Sequence, residues 1–449
     1  MSTRIPFLLS RRCVALALIA LTATAAQAET EIDNAPALVI EGATIHSLAG
    51  APEVGRIVIS GGLIQAAGAD ADPTVDATVI DASGLHVYPG LFDAMTTLGL
   101  IEISSIAATS DATEIGRFNP QLEAASAVHP ASQVIPVTRA NGITHTLVAP
   151  ATDQQGIIAG QAALLHLDGW TVDEMAIERS AAMVIRWPDI ATTFFDRATF
   201  SRGTRPYEEA KERAEEAHDE LRDWLDAARH YAQAQTSERV ERNLELEALA
   251  QVLGGGLPVI FLTSAKRDIE SAVAFAEREG LDMILAGGRD AWQVKELLAE
   301  KDIPVILGRT QSLPAEADDP YDRPFRTAAE LHAAGVRFAF GTGAGGRFGP
   351  GGPHSSRTLP YESAMAAAYG LPREEALKAI TANPAEIFGL GDRLGTITPG
   401  KIANLIVTDG DPLEITTQVH HVIINGRQAD TNNRHRRLYE QYRSRPGRR

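Results

Sequence analysis

The chain has 449 residues, 44% of them hydrophobic and 22% charged, which suits a soluble globular body of one large domain plus a smaller one. Its formal net charge is -17, so its surface repels phosphate backbones and anionic lipid, and nucleic acid is not an expected partner. The single cysteine, Cys13, lies near the start, leaving the remainder without a disulfide or a thiolate metal ligand.

In chain order, residues 1–28 read as a secretory signal peptide. Arg4, Arg11 and Arg12 precede an apolar run from Cys13 to Ala26, and Ala26-Gln27-Ala28 forms a small-residue cleavage site. The Arg11-Arg12 pair leaves twin-arginine and general export open. No later stretch reaches the 18 or so apolar residues of a membrane helix, so export without an anchor points to the periplasm.

Residues 29–85 read as short alternating strands around Gly61-Gly62, a sheet that cannot bury both faces alone. Residues 393–430 carry the same signature with Pro399-Gly400 and Asn425-Gly426 turns. The two segments predict one β-sandwich built from both ends of the chain. A basic tail follows from 431 to 449, with seven arginines between Arg434 and Arg449.

Between them, residues 86–392 alternate strands with helices. The stretch His86–Leu100, GITHTLVAP, QAALLHLDGW, AAMVIRWP, LPVIFLTS, LDMILAGG, IPVILGRT and VRFAFGTG are eight apolar runs ending in small or polar residues. That number predicts a (β/α)8 TIM-like barrel, an α/β fold, ahead of a doubly wound open sheet. Residues 205–252 interrupt the rhythm with a helical excursion. There Tyr207, Ala210, Ala214, Ala217, Leu221, Leu225 and Ala228 recur at helical spacing among many charges.

The run from Pro89 to Leu100, PGLFDAMTTLGL, resembles the metal-binding signature P-G-L-x-D-x-H-x-H of the amidohydrolase superfamily, with Met95 and Thr97 in place of the two histidines. The segment from Leu359 to Pro412 is similar to the closing segment of imidazolonepropionase-like amidohydrolases, and TRANGITHTLVAP, IIAGQAALLHLDGW and DDPYDRPF to an exported branch of that family. The resemblance implies hydrolysis of a carbon–nitrogen bond in a small amide, cyclic amide or peptide-like substrate. It also implies a site at the barrel mouth with zinc or a similar ion on two strand-1 histidines, a strand-4 lysine carbamate or glutamate and histidines on strands 5 and 6. A strand-8 aspartate serves as base. The matching positions here hold Met95, Thr97, Arg186, Leu262 or Thr263, Gly287-Gly288 and Gly343. No metal cofactor is therefore expected.

On an extended strand Asp93, Met95 and Thr97 share one face, and Asp93 is the candidate catalytic carboxylate, a general base acting without metal. Thr97, Arg186, Thr263, Arg289 and His354 are the ligand-binding candidates. Arg186, Lys266, Arg289 and Arg309 all fall at or just after strand ends, where they either converge on an anionic ligand or pair with nearby acids such as Asp290. His145 and His166 sit inside apolar strands and read as hydrogen-bonded core residues, whereas His129 and His354 suit a pocket. The small-molecule site belongs either to a hydrolase or to a catalytically inactive, metal-free binding or assembly partner of an intact amidohydrolase. Homo-oligomerisation is left open.

Overall fold

The computed structural model describes residues 37–445 apart from 73–76, 154, 197–198, 200, 238–239, 315, 317 and 346–351. The signal peptide expected over 1–28 lies outside the described residues.

Alternating apolar residues at both ends of the chain build one sheet. Leu38–Ile45 pairs antiparallel with Glu53–Ser60 and parallel with both Thr78–Asp81 and His86–Pro89. The C-terminal strand Leu405–Thr408 then lies against His86–Pro89 and carries Val419–Ile424 on its other edge. The expected terminal β unit is thus a single eight-stranded sheet curled so that Leu63 bridges Ile402. Its concave face buries Ile40, Ile57, Ile59, Val87, Leu405 and Ile423. Neither end of the chain closes that core alone.

The barrel consists of β1 (Leu91–Thr96), β2 (Ile143–Val148), β3 (Ile158–His166), β4 (Ala176–Arg186), β5 (Val259–Thr263), β6 (Met283–Gly287), β7 (Val305–Leu307) and β8 (Phe338–Phe340). All eight expected strands are present, and they pair in sequence order from β1 to β8. The first run is divided, however. Pro89-Gly90 breaks it, sending His86–Pro89 to the terminal sheet and starting the barrel at Leu91.

A second departure concerns direction. β3 runs antiparallel to both β2 and β4, whereas the other pairs are parallel. A parallel return needs a crossover of about a dozen residues or more. The stretches 149–157 and 167–175 are too short for one, so the chain makes a meander there. From β4 onward the links are long enough for helices, including α1 (Tyr207–Ser237), α2 (Leu244–Leu253), α3 (Lys266–Glu279) and, after β8, α4 (Leu359–Ala368).

The helical excursion packs on the barrel. Ala210, Ala214, Ala217, Leu221, Leu225 and Ala228 of its stripe are buried, while Tyr207 stays exposed. Small alanines let the helix approach closely, and the charged remainder faces water.

The seam between barrel and terminal sheet runs through Asn404. Its carbonyl accepts from Gly90 N at 2.8 Å, and its side-chain amide donates to Nδ1 of His145 at 3.4 Å and of His166 at 3.2 Å. Its Oδ1 accepts from Asn425 N at 2.8 Å. Thr144 Oγ1 lies 2.7 Å from the same His145 nitrogen, and His145 Nε2 has no hydrogen-bond partner among the described residues. Both histidines are hydrogen-bonded core residues, as their apolar strands imply.

Burial first, then Arg393 and Arg427, hold His166 at about 4, and burial followed by His166 holds His145 well below the ordinary 6.5. The unfolded chain binds both protons near 6.5, so the stability of the neutral pair is complete above that pH and is lost as pH falls. Asp93, raised from 3.8 to about 6, acts in the opposite sense, but two bases outweigh one acid. Urea-unfolding free energy is expected to rise between about pH 4.5 and pH 6.5, by roughly 1.4 kcal/mol per pH unit per net proton. His166→Gln should flatten that slope by about one proton's worth; an unchanged slope would show that His166 is not the group titrating.

Candidate active site

The C-terminal ends of the parallel strands form the mouth that the sequence singles out. At its centre is the β1 residue Asp93, fully buried. One carboxylate oxygen accepts from Thr342 N at 2.9 Å and Met95 N at 3.4 Å, and the other accepts from Thr342 Oγ1 at 2.6 Å. Thr342 Oγ1 also lies 3.3 Å from Ser356 Oγ, which in turn lies 2.7 Å from Thr96 Oγ1. Asp93, Thr342, Ser356 and Thr96 thus form a continuous buried hydrogen-bonded chain from β1 to the segment after β8. Burial pushes the Asp93 carboxyl up to about 6, outweighing the donors from Thr342, Ser356 and Met95 that favour its ionised form.

The expected face-sharing is broken. Pairing with β2 shifts register between Asp93 and Thr96, so Thr96 rather than Thr97 reaches the Asp93 chain. Thr97 is fully buried, and its hydroxyl has no hydrogen-bond partner among the described residues. Met95 is fully buried in the core with Phe92, Ile260, Ile306 and Ala339.

The remaining candidates do not gather around Asp93. Arg186 Nε donates to the Gly156 carbonyl at 3.0 Å. Thr263 closes β5 and accepts from Gly288 N at 2.9 Å through its carbonyl. Arg289 pairs with Asp290 at 3.1 Å, and Arg309 reaches the buried Glu362 at 3.4 Å. His354 and His129 are exposed. Of the two readings of the strand-end cations, pairing with nearby acids describes Arg289 and Arg309. Ser356 and Thr342 were not singled out from sequence; the serine lies two residues beyond His354 in the same loop.

Between strands, the mouth is filled by backbone. Gly287 (φ +99°) and Gly345 (φ +89°) occupy the left-handed region, and a Cβ on Gly345 would lie 3.3 Å from the Gly287 Cα and 3.6 Å from the Gly308 Cα. A Cβ on Gly341 would lie 2.9 Å from Met95 N, and one on Gly308 would overlap the Ala344 carbonyl oxygen. Gly343 N donates to Met95 O at 2.6 Å, joining the chain beyond β8 to β1. Glycine at these positions lets three strand ends meet where side chains would otherwise stand apart.

A profile described as Amidohydrolase family matches residues 225–429. Among curated proteins, the amidohydrolase tasK of Hapsidospora irregularis is 26% identical over 373 residues, covering 78% of this chain and 37% of that protein. The chain therefore spans little more than a third of that relative's length. Among solved structures, an amidohydrolase from Thermotoga maritima MSB8 is similar with a TM-score of 0.75 and 25% identity, covering 88% of this chain and 99% of the other. Molinate hydrolase, 16% identical with a TM-score of 0.53 over 88% of this chain and 95% of its own, shares the fold.

The residues at the mouth do not fit the divalent ion that the family resemblance implies. A buried thioether, an alcohol, a guanidinium and bare glycines stand at the implied ligand positions, and none of them is a good ligand for a zinc-like ion. Among the described residues, no group of three or more His, Cys, Asp or Glu is placed to hold a metal ion. Gly308→Ala is expected to destabilise the fold by about 2–4 kcal/mol, because its methyl meets backbone that cannot rotate away. Gly50→Ala, whose methyl would meet only Ser47 Oγ at an ordinary 4.0 Å, should shift stability by no more than about 0.5 kcal/mol, and equal losses in chemical denaturation would contradict the closed mouth.

Proposed function

We propose, from the premise that this chain is a homologue within the amidohydrolase superfamily, that it is an exported hydrolase of that superfamily acting on the carbon–nitrogen bond of a small amide, cyclic amide or peptide-like substrate. The observation that carries this reading is the 25% identity and TM-score of 0.75 to the Thermotoga maritima amidohydrolase across 88% of the chain. The N-terminal charge-apolar-small pattern supports export, with the periplasm as destination.

Within that reading, Asp93 is the carboxylate available for proton transfer, and hydrolysis runs without a binuclear metal centre. Its pKa of about 6 suits a general base at neutral pH. Thr342 and Ser356 cover it, so substrate reaches the carboxylate only when these hydroxyls give way. Hydrolysis would then rise with pH through about 6, as Asp93 loses its proton.

One observation favours a second reading. The strand-end residues Met95, Thr97, Arg186 and Gly287-Gly288 supply poor donors, which suits a catalytically inactive, metal-free binding or assembly partner of an intact amidohydrolase.

The two separate in one set of measurements on purified protein: metal content, turnover of an amide and cyclic-amide panel, and co-elution with an intact amidohydrolase. The hydrolase reading expects metal-independent turnover that Asp93→Asn lowers at least about a hundredfold, the usual range for a lost general base. Turnover abolished by chelation and restored by zinc would overturn the metal-free mechanism. Absence of turnover with stable co-elution would replace the first reading by the second.

A further inference from the structure

The basic tail that the sequence sets apart takes no part in the barrel mouth. Seven arginines against one glutamate give residues 431–449 a charge of +6 on a chain of -17, so the remainder carries -23. Within it, α5 (Arg434–Arg443) is capped by Asn433 Oδ1, which accepts from His435 N at 3.0 Å and Arg436 N at 3.1 Å. No residue of α5 is buried, and Arg357 Nη1, in the segment after β8, lies 3.3 Å from His435 Nδ1. The helix is two-faced all the same. Leu438, Tyr439 and Tyr442 are neighbours on one side, and the two tyrosines are 62% and 51% exposed. Arg443 is taken up by Glu440 at 2.7 Å and Arg436 by Thr431 Oγ1 at 2.8 Å. Arg434 and Arg437, one turn apart beside the apolar stripe, are exposed and have no acidic partner among the described residues.

The complementary surface is on α1. Glu208, Glu212 and Glu216 recur every fourth residue and Asp223 follows, so the four lie along one side of the helix for about 22 Å. All are exposed and have no cationic partner among the described residues, whereas Glu209, Glu215, Asp219, Glu220 and Asp226 of the same helix are paired. This ridge is long enough for α5, whose ten residues span about 15 Å. Within one chain the two do not meet. α1 follows β4, whereas α5 is held beside the segment after β8, half-way round the strand order.

We propose that α5 of one copy of this chain docks on the α1 ridge of a second copy. Arg434 and Arg437 meet the glutamates, and the Leu438–Tyr439–Tyr442 stripe shields those pairs from water. A membrane is the poorer occupant, because the -23 remainder is repelled by the anionic lipid that the arginines would attract. Since the two surfaces lie on different sides of the barrel, the contact is heterologous, and copies either close into a ring or extend head to tail. The assignment is independent of the hydrolase reading, because neither helix contributes to the Asp93 chain.

Sedimentation velocity of the full chain over a concentration series, at low and at high salt, tests it. Concentration-dependent association that salt disperses is expected. Arg434→Glu/Arg437→Glu and Glu208→Lys/Glu212→Lys/Glu216→Lys should each weaken association at least about tenfold. An equimolar mixture of the two variants should associate again, because each supplies the sign that the other has lost. Glu300→Lys, at an exposed acid outside the ridge, should leave association unchanged. Circular dichroism confirms that the variants remain folded, all the substituted side chains being exposed. A monomer at every concentration, indifference to either set of reversals, or a mixture that stays dissociated would overturn the assignment. A monomeric chain that binds phosphatidylglycerol vesicles, and loses them in Arg434→Glu/Arg437→Glu, would overturn it in favour of a lipid surface.

Discussion

A carboxylate closed off from bulk solvent governs the top of this barrel. Asp93 cannot be solvated where it sits, so its oxygens are satisfied by the backbone and hydroxyl of Thr342 and the amide of Met95. Those bonds span β1 and the chain just beyond β8, where the strands themselves make few ladder bonds. Removing an acceptor there would strand buried donors on both sides of the closure, a cost that such networks pass on to everything they hold together. The glycines at 287, 308, 341 and 345 are the other half of the constraint, since they let the backbone come near enough for these bonds to form.

Much of the architecture is written in local pattern. Eight apolar runs in the middle and alternating segments at the two ends suffice for a barrel with a shared terminal sheet, because burial periodicity is a property of each segment by itself. What local pattern misses is direction and division. The antiparallel β3 follows from connector length, which the runs of QAALLHLDGW and AAMVIRWP do not display on their own. The break at Pro89-Gly90 was visible, but its result, two strands in two sheets, depends on which edges remain open to pair.

The site was less legible for a similar reason. Asp93 stands out on chemistry and position, yet its partners Thr342 and Ser356 lie some 250 residues downstream in ordinary-looking glycine-rich sequence. A register shift of the kind between Asp93 and Thr96 reverses which threonine faces inward, and no composition rule forecasts it. Sequence alone gave residue types that are poor metal ligands; the structure adds that backbone occupies the space between strands β6, β7 and β8. A barrel scaffold similar to that of a solved amidohydrolase and a mouth poor in metal ligands are compatible, since a fold persists on packing while function lives in a handful of side chains.

The most direct measurement is the titration of Asp93 itself, followed through its carboxyl carbon by NMR with Asp93→Asn to assign the signal. A carboxylate sealed among hydroxyls and apolar walls should lose its proton at about 6. A value at or below the usual 3.8 would mean that water or a cation reaches the group, and the closed barrel mouth described here would be wrong.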